Sequence, residues 1–203
     1  FAVIAAIMVL IGLYHIRMLP SNQIPSTTKK TTSEVGRELV AVIANFFTKK
    51  HIFYYICFII LYRLAEGFIM KIAPLFLRAS REVGGLGLSL KEIGTLNGVF
   101  GSAAFVLGSL LAGIYVSKFG LKRTLFTLCC IFNLPFVAYT FLAVTQPTNV
   151  YLIGTCITME YFGYGFGFVG LTLFMMQQIA PGKHQMSHYA FASGIMNLGV
   201  MLP

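Results

Sequence analysis

The sequence predicts an all-α membrane protein built from spanning helices, and three observations carry that expectation. Hydrophobic residues fill 57% of 203 positions, charged residues only 10%, and the mean hydropathy is +0.81. A soluble domain carries roughly 45–50% apolar and about 25% charged residues, so this much apolar surface has no place to hide in water. The apolar residues also fall into runs of about 20 residues, the length that crosses a ~30 Å hydrocarbon layer as a helix. Polar or turn residues bound each run. The composition of 20 Gly, 19 Phe, 9 Met and no Trp suits lipid-facing helices whose backbones approach closely.

Four full spans are expected at about residues 52–76, 90–116, 124–144 and 150–177, with partial ones at residues 1–16 and 188–203. The first and last are apolar from the first residue and to the last, and no basic start or small-residue cleavage site marks a signal peptide. The expectation is a chain cut at both ends. Lys and Arg accumulate in cytoplasmic loops. Residues 17–51 hold Arg17, Lys29, Lys30, Arg37, Lys49 and Lys50, the second loop on that side Lys118, Lys122 and Arg123, and the third Lys183. The 145–149 loop opposite carries no charge, which places residues 17–51 in the cytoplasm, although Arg78 and Arg81 are basic on the assigned outer side. A net charge of +9 belongs beside anionic lipid and requires no nucleic-acid partner.

Residues 17–51 divide into a flexible Pro/Ser/Thr-rich linker at Pro20–Thr32 and an amphipathic helix at about 33–50. In that helix Val35, Leu39, Val42, Ile43, Phe46 and Phe47 recur at helical spacing, and Thr31 with Glu34 has capping-box spacing. The helix is expected at the interface or beneath the bundle, with Lys49 and Lys50 at the headgroups. Ser89 and Glu92 form a second capping box that opens the 90–116 span.

Chemistry of other kinds finds little support. Cys57, Cys129, Cys130 and Cys156 lie in apolar runs without metal-ligand spacing. His184 and His188 lack a carboxylate or thiol nearby, so no metal and no cofactor is expected. Gly84, Gly85 and Gly87 lack the Lys and Ser/Thr that follow the glycines of a phosphate loop. The chain has no Asp and no nucleophile or paired-acid constellation at one depth, which argues against an enzyme.

The informative residues are those that are costly in lipid. Arg63 and Glu66 lie three apart near the middle of one span, so they share a face and can pair. They either fix helix packing or bind an anionic substrate group and a proton. Lys71, one to two turns on, joins the pathway or snorkels to the interface. Glu160 has no cation on its own helix and is either protonated or paired across helices. Cys156, Glu160, Gly163, Gly167 and Gly170 share a stripe, read as a pathway-facing groove or as small-residue packing, with the pathway favoured. Tyr161, Tyr164, Phe166 and Phe168 can stack on sugar rings or pack. Asn97 and Tyr164 complete the pathway candidates.

Gly108 and Gly113 followed by Ser117-Lys118-Phe119-Gly120-Leu121-Lys122-Arg123 resemble the cytoplasmic signature of the major facilitator superfamily, a helix Gly before a D-R-x-G-R-R turn. Ser117 replaces the usual Asp and Lys118 the Arg. The resemblance implies a gate at Gly113, Ser117, Lys118, Gly120, Lys122 and Arg123, and a fold in which this chain is the C-terminal half-bundle, from the end of the sixth span into the eleventh. Within the superfamily, Tyr62-Arg63-Leu64-Ala65-Glu66, Pro74–Leu77, the Gly87–Gly94 run, Glu160–Phe168 and His188–Gly194 are similar to the AmpG-like permeases, with Ala65 where Pro is usual.

That resemblance implies secondary active transport at a bacterial inner membrane: proton-coupled import of anhydromuropeptides or related cell-wall solutes. The partners implied are a small-molecule substrate, protons, the bilayer and a preceding N-terminal half. A carrier of sugars, organic anions or acetyl-CoA is the alternative, and a non-transporting membrane signalling protein is the alternative from another class.

Overall fold

A computed structural model describes residues 2–18 and 31–203, and every element among them is helical. Most of the expected Pro20–Thr32 linker lies outside the described residues. Helix α1 spans Ala2–Met18, α2 Thr32–Phe47 and α3 Ile52–Arg78. Helix α4 runs Leu90–Phe119 with a π-turn at Leu96–Gly101, and α5 runs Leu121–Thr145 with a 3-10 turn at Leu134–Phe136 around Pro135. Helix α6 covers residues 150–179, an α-helix Val150–Phe174 continued by a π-turn Met175–Ile179. Helix α7 is Gln185–Met201. Contacts divide the chain into two units, Phe1–Leu39 and Val40–Pro203, and the candidate residues lie in the second.

The starts and stops follow from local chemistry. Ser89 accepts from the Glu92 amide at 3.2 Å while Glu92 accepts from the Ser89 amide at 2.8 Å, so the expected capping box opens α4. At Thr31 half of such a box forms: the Thr31 amide donates to the Glu34 carboxylate at 2.9 Å. Gly120, at φ +76°, makes the one-residue break between α4 and α5 that a side chain with Cβ would strain. Asn149 accepts from the Tyr151 amide and caps α6.

Among the described residues three helices, α3, α4 and α5, are long and apolar enough to cross a membrane. Their polarity is inverted relative to a soluble protein. Leu61, Phe126 and Val144 stand 66–79% exposed, whereas Arg63, Glu66 and Glu160 are 6%, 3% and 8% exposed. Apolar side chains around the perimeter with charge at the centre is the arrangement lipid demands. The expected fourth span, α6, holds Glu160, Tyr161, Tyr164 and five glycines within its length. It is the richest in buried residues, from Ile153 to Phe174, so its neighbours rather than solvent receive those groups.

Two groups of loops mark the ends of the bundle. Arg81 donates to the carbonyls of Gln146 at 2.9 Å and Pro147 at 2.8 Å, joining the α3–α4 and α5–α6 loops at one end. At the other end Lys49 donates to the carbonyls of Ile179 and of Pro181, the latter at 2.8 Å. Its ammonium thus covers the electronegative end of α6, and desolvation there lowers its pKa below the ordinary lysine value. Lys49 and Arg81 therefore lie at opposite ends of the bundle. Phe46, 1% exposed, anchors the end of α2 to α7 through Phe191, ring centroids 4.9 Å apart, and through His188 at 5.7 Å.

Candidate functional site

Two neighbours of α6 meet it through glycine. The carbonyl of Phe105 on α4 occupies the space a Cβ at Gly165 would need, and the Phe162 carbonyl does the same for Gly108. The Ser109 hydroxyl donates to the Gly165 carbonyl at 3.1 Å across this seam. On the α5 side, Gly163 faces Ile131 and Pro135, Gly167 faces Phe132, and Gly170 faces Leu128. The stripe expected to border an open pathway is therefore filled by α5. Close approach of backbones, the packing alternative, is what these glycines serve.

Helix α3 meets α6 through polar and aromatic groups instead. The Tyr62 hydroxyl donates to the Gly167 carbonyl at 2.8 Å, using the lone pair left over from the helix. One residue on, Arg63 donates to both Glu66 oxygens, from Nε at 2.7 Å and from Nη2, in a bidentate buried pair. Its guanidinium carbon lies 5.5 Å from the centre of the Phe168 ring, a cation–π distance. Phe168 in turn meets Tyr164 edge-on at 5.9 Å, and Tyr164 packs on Phe132 at 5.8 Å and Phe105 at 5.1 Å.

Glu160, Tyr164 and Phe168 succeed one another at four-residue spacing, so one face of α6 carries all three. Tyr164 interacts electrostatically with Arg63 and Glu66, and Glu160 with Glu66, Tyr161 and Tyr139 of α5. The cluster thus sets one cation among two carboxylates. Arg63 is committed to Glu66, and Glu160 lies within electrostatic reach of Glu66 and of three tyrosines. An odd negative charge at such a position is relieved by taking up a proton or by meeting a cationic or hydrogen-bonding ligand.

Arg63, Glu66, Glu160 and Tyr164 therefore come together. Lys71 stands apart: it is exposed and donates to the Met201 carbonyl at 3.3 Å, at the end of α7. Gly67 and Gly199 let α3 and α7 pack closely, against Val200 and Ile60. Asn97 sits in the π-turn of α4 with a buried side-chain oxygen that has no hydrogen-bond partner among the described residues. Gly113, Ser117, Lys118, Gly120, Lys122 and Arg123 lie together at the α4–α5 turn, all exposed, with the Ser117 hydroxyl turned back to the Ile114 carbonyl at 2.8 Å. Ser117 thus makes a local bond where an Asp would present a charge.

Two partners in the cluster have no role assigned from the sequence, Tyr62 as an interhelical donor and Tyr139, while Phe168, expected to stack or pack, lies under Arg63. Tyr62 and Phe168 each lie in a run already marked by a buried charge, and a tyrosine beside an intramembrane arginine is a signal worth reading. Tyr139 has no local signal, because only the fold brings α5 to Glu160. Among the described residues no group of three or more His, Cys, Asp or Glu is placed to hold a metal.

The Major Facilitator Superfamily family model matches residues 1–203. The chain is also similar to the anhydromuropeptide permease of Escherichia coli (strain K12) and to that of Escherichia coli O157:H7. Each is 24% identical to it over 175 residues, covering 86% of this chain and 34% of the relative. The chain thus spans about a third of the length of the curated relatives it matches. No solved structure gives a significant match. With the family model matched from the first residue to the last, and with apolar helices enclosing buried charge, the chain belongs to the major facilitator superfamily as an integral membrane protein.

Proposed function

We propose that the protein containing this chain is a secondary active transporter that imports anhydromuropeptides or a related cell-wall-derived solute together with protons across a bacterial inner membrane. The observation that carries this reading is the buried cluster on α3 and α6, one guanidinium among two carboxylates. A charge buried at this depth costs several kcal/mol and persists where it pairs or serves a pathway. Arg63 holds a carboxylate of the substrate in exchange for Glu66, and Glu66 or Glu160 carries the proton while the site changes sides. Tyr164 and Phe168 offer ring faces beside the guanidinium, as a solute bearing both sugar and carboxylate requires. Residues 1–16 and 52–203 would then be spans of two half-bundles that rock about this site, with residues 17–51 as the cytoplasmic connection. The similarity to proteins named anhydromuropeptide permease supports the choice of substrate class.

The test is uptake of labelled anhydromuropeptide by the full-length protein in proteoliposomes under an inward proton gradient. Accumulation that unlabelled anhydromuropeptide suppresses, and that simple sugars, organic anions and acetyl-CoA leave intact, is the expected result. Competition by one of those instead would reassign the substrate. Binding without uptake would favour a signalling role.

A further inference from the structure

Helix α3 closes on α7 backbone to backbone, and α6 does so on α4 and α5, but α3 and α6 scarcely approach each other in that way. The glycines of α6 are taken up by α4 and α5, and Gly67 of α3 by α7. The seam between α3 and α6 is therefore made by side chains, and these are of two kinds. Tyr55 and Phe58 rest on Phe174 at 5.4 and 4.8 Å, apolar contacts with little directional demand. The second kind is directed. The Tyr62 hydroxyl donates to the Gly167 carbonyl at 2.8 Å, and the next residue, Arg63, stands over the ring of the next residue, Phe168, at 5.5 Å. Two successive residues of α3 thus meet two successive residues of α6.

Tyr62 is fixed from three sides. Its ring, 2% exposed, lies between Phe58 at 5.5 Å and Phe132 of α5 at 4.8 Å. Phe132 also fills the space beside Gly167, so α3, α5 and α6 converge where the hydroxyl meets its acceptor. Arg63 has no such support of its own. Its guanidinium ends a long side chain with large rotamer entropy. The Glu66 that pairs with it rides on the same helix, so that pair carries no information about where α3 stands against α6.

We propose that Tyr62 is a positioning residue for Arg63: its hydroxyl sets the register of α3 on α6 and so holds the guanidinium over Phe168, ready for a carboxylate of the solute. The part played in solute binding rests on the function proposed above, whereas the placement of Arg63 does not. A group held in place before the ligand arrives binds with less ordering cost.

The test compares full-length wild type with Tyr62→Phe, which keeps the ring between Phe58 and Phe132, and with Ser109→Ala, which removes the hydroxyl bond to Gly165 on the α4 side of the same helix. Modification of Arg63 by phenylglyoxal, read by peptide mass spectrometry, reports its placement without any solute. Tyr62→Phe speeds that modification by roughly two- to tenfold, the worth of one hydrogen bond, and Ser109→Ala leaves it at the wild-type rate. In proteoliposomes Tyr62→Phe raises the KM for labelled anhydromuropeptide by a similar factor of about two to ten, at unchanged maximal rate per folded transporter, and Ser109→Ala does not. Arg63 modified equally fast in wild type and Tyr62→Phe, or equally accelerated in Ser109→Ala, overturns the proposal. Faster modification with an unchanged KM overturns its binding part. Wild type without saturable uptake would count against the proposed substrate, and the modification rates would still decide the placement of Arg63.

Discussion

Helix α6 meets its neighbours through two kinds of seam. Toward α4 and α5 it presents Gly163, Gly165, Gly167 and Gly170, and the backbones close until carbonyls and ring edges occupy the space a methyl would need. Toward α3 it presents Glu160, Tyr164 and Phe168 to an Arg63–Glu66 pair, held by the Tyr62 hydroxyl. The glycine seams gain dispersion at each point of contact and have no second arrangement available to them. The polar seam is costly to bury, with the one cation, Arg63, paired to Glu66 and Glu160 within electrostatic reach of that carboxylate. A helix that is fixed on two sides and ionic on the third is suited to transmit change on the third side alone.

The largest effect is expected at the ionic seam. Arg63→Ala strands Glu66 in the interior at a cost of about 3–5 kcal/mol, read as a lower denaturation midpoint of the full-length protein together with loss of uptake. Arg63→Ala combined with Glu66→Ala should recover most of the stability and none of the transport. Recovery of both would make the pair a packing device.

Next is Gly165→Val, where the added side chain meets the Phe105 carbonyl. Overpacking there costs about 1–3 kcal/mol, and uptake should fall only as far as the amount of folded protein falls. A transport defect at full folding would show that the glycine seam also moves. Tyr62→Phe removes one interhelical hydrogen bond worth about 0.5–1.5 kcal/mol, visible as a modest shift in the thermal melt. Smallest is Lys71→Gln, within about 0.5 kcal/mol at an exposed helix end; unchanged uptake would separate Lys71 from the pathway it was expected to join.

The helices were legible because hydropathy and caps are local. The expected 52–76, 90–116, 124–144 and 150–177 differ from the helices found by no more than three residues at any end, and the Ser89–Glu92 box sits where its spacing puts it. The pairing of Arg63 with Glu66 was equally local, at i and i+3. What faces what was not. Gly163, Gly167 and Gly170, which share a stripe with Glu160 and on that ground favour a pathway wall over a packing face, lie against Leu128, Ile131, Phe132 and Pro135 of α5. Phe46 looked like one more apolar residue of an amphipathic stripe, yet it alone among the residues of α2 is fully buried, because α7 supplies Phe191. The irregular turns at Leu96–Gly101 and Met175–Ile179 likewise have no marker in an otherwise continuous apolar run.

The central claim is that the seam between α3 and α6 couples proton movement to solute movement. The most direct measurement compares wild type with the Glu66→Gln, Glu160→Gln double variant of the full-length protein in proteoliposomes, scoring both accumulation driven by a pH gradient and exchange at equal concentrations. The expected result is loss of accumulation with exchange retained, since Arg63 still meets the solute while no carboxylate remains to carry the proton. Accumulation at wild-type levels in the double variant would contradict the account.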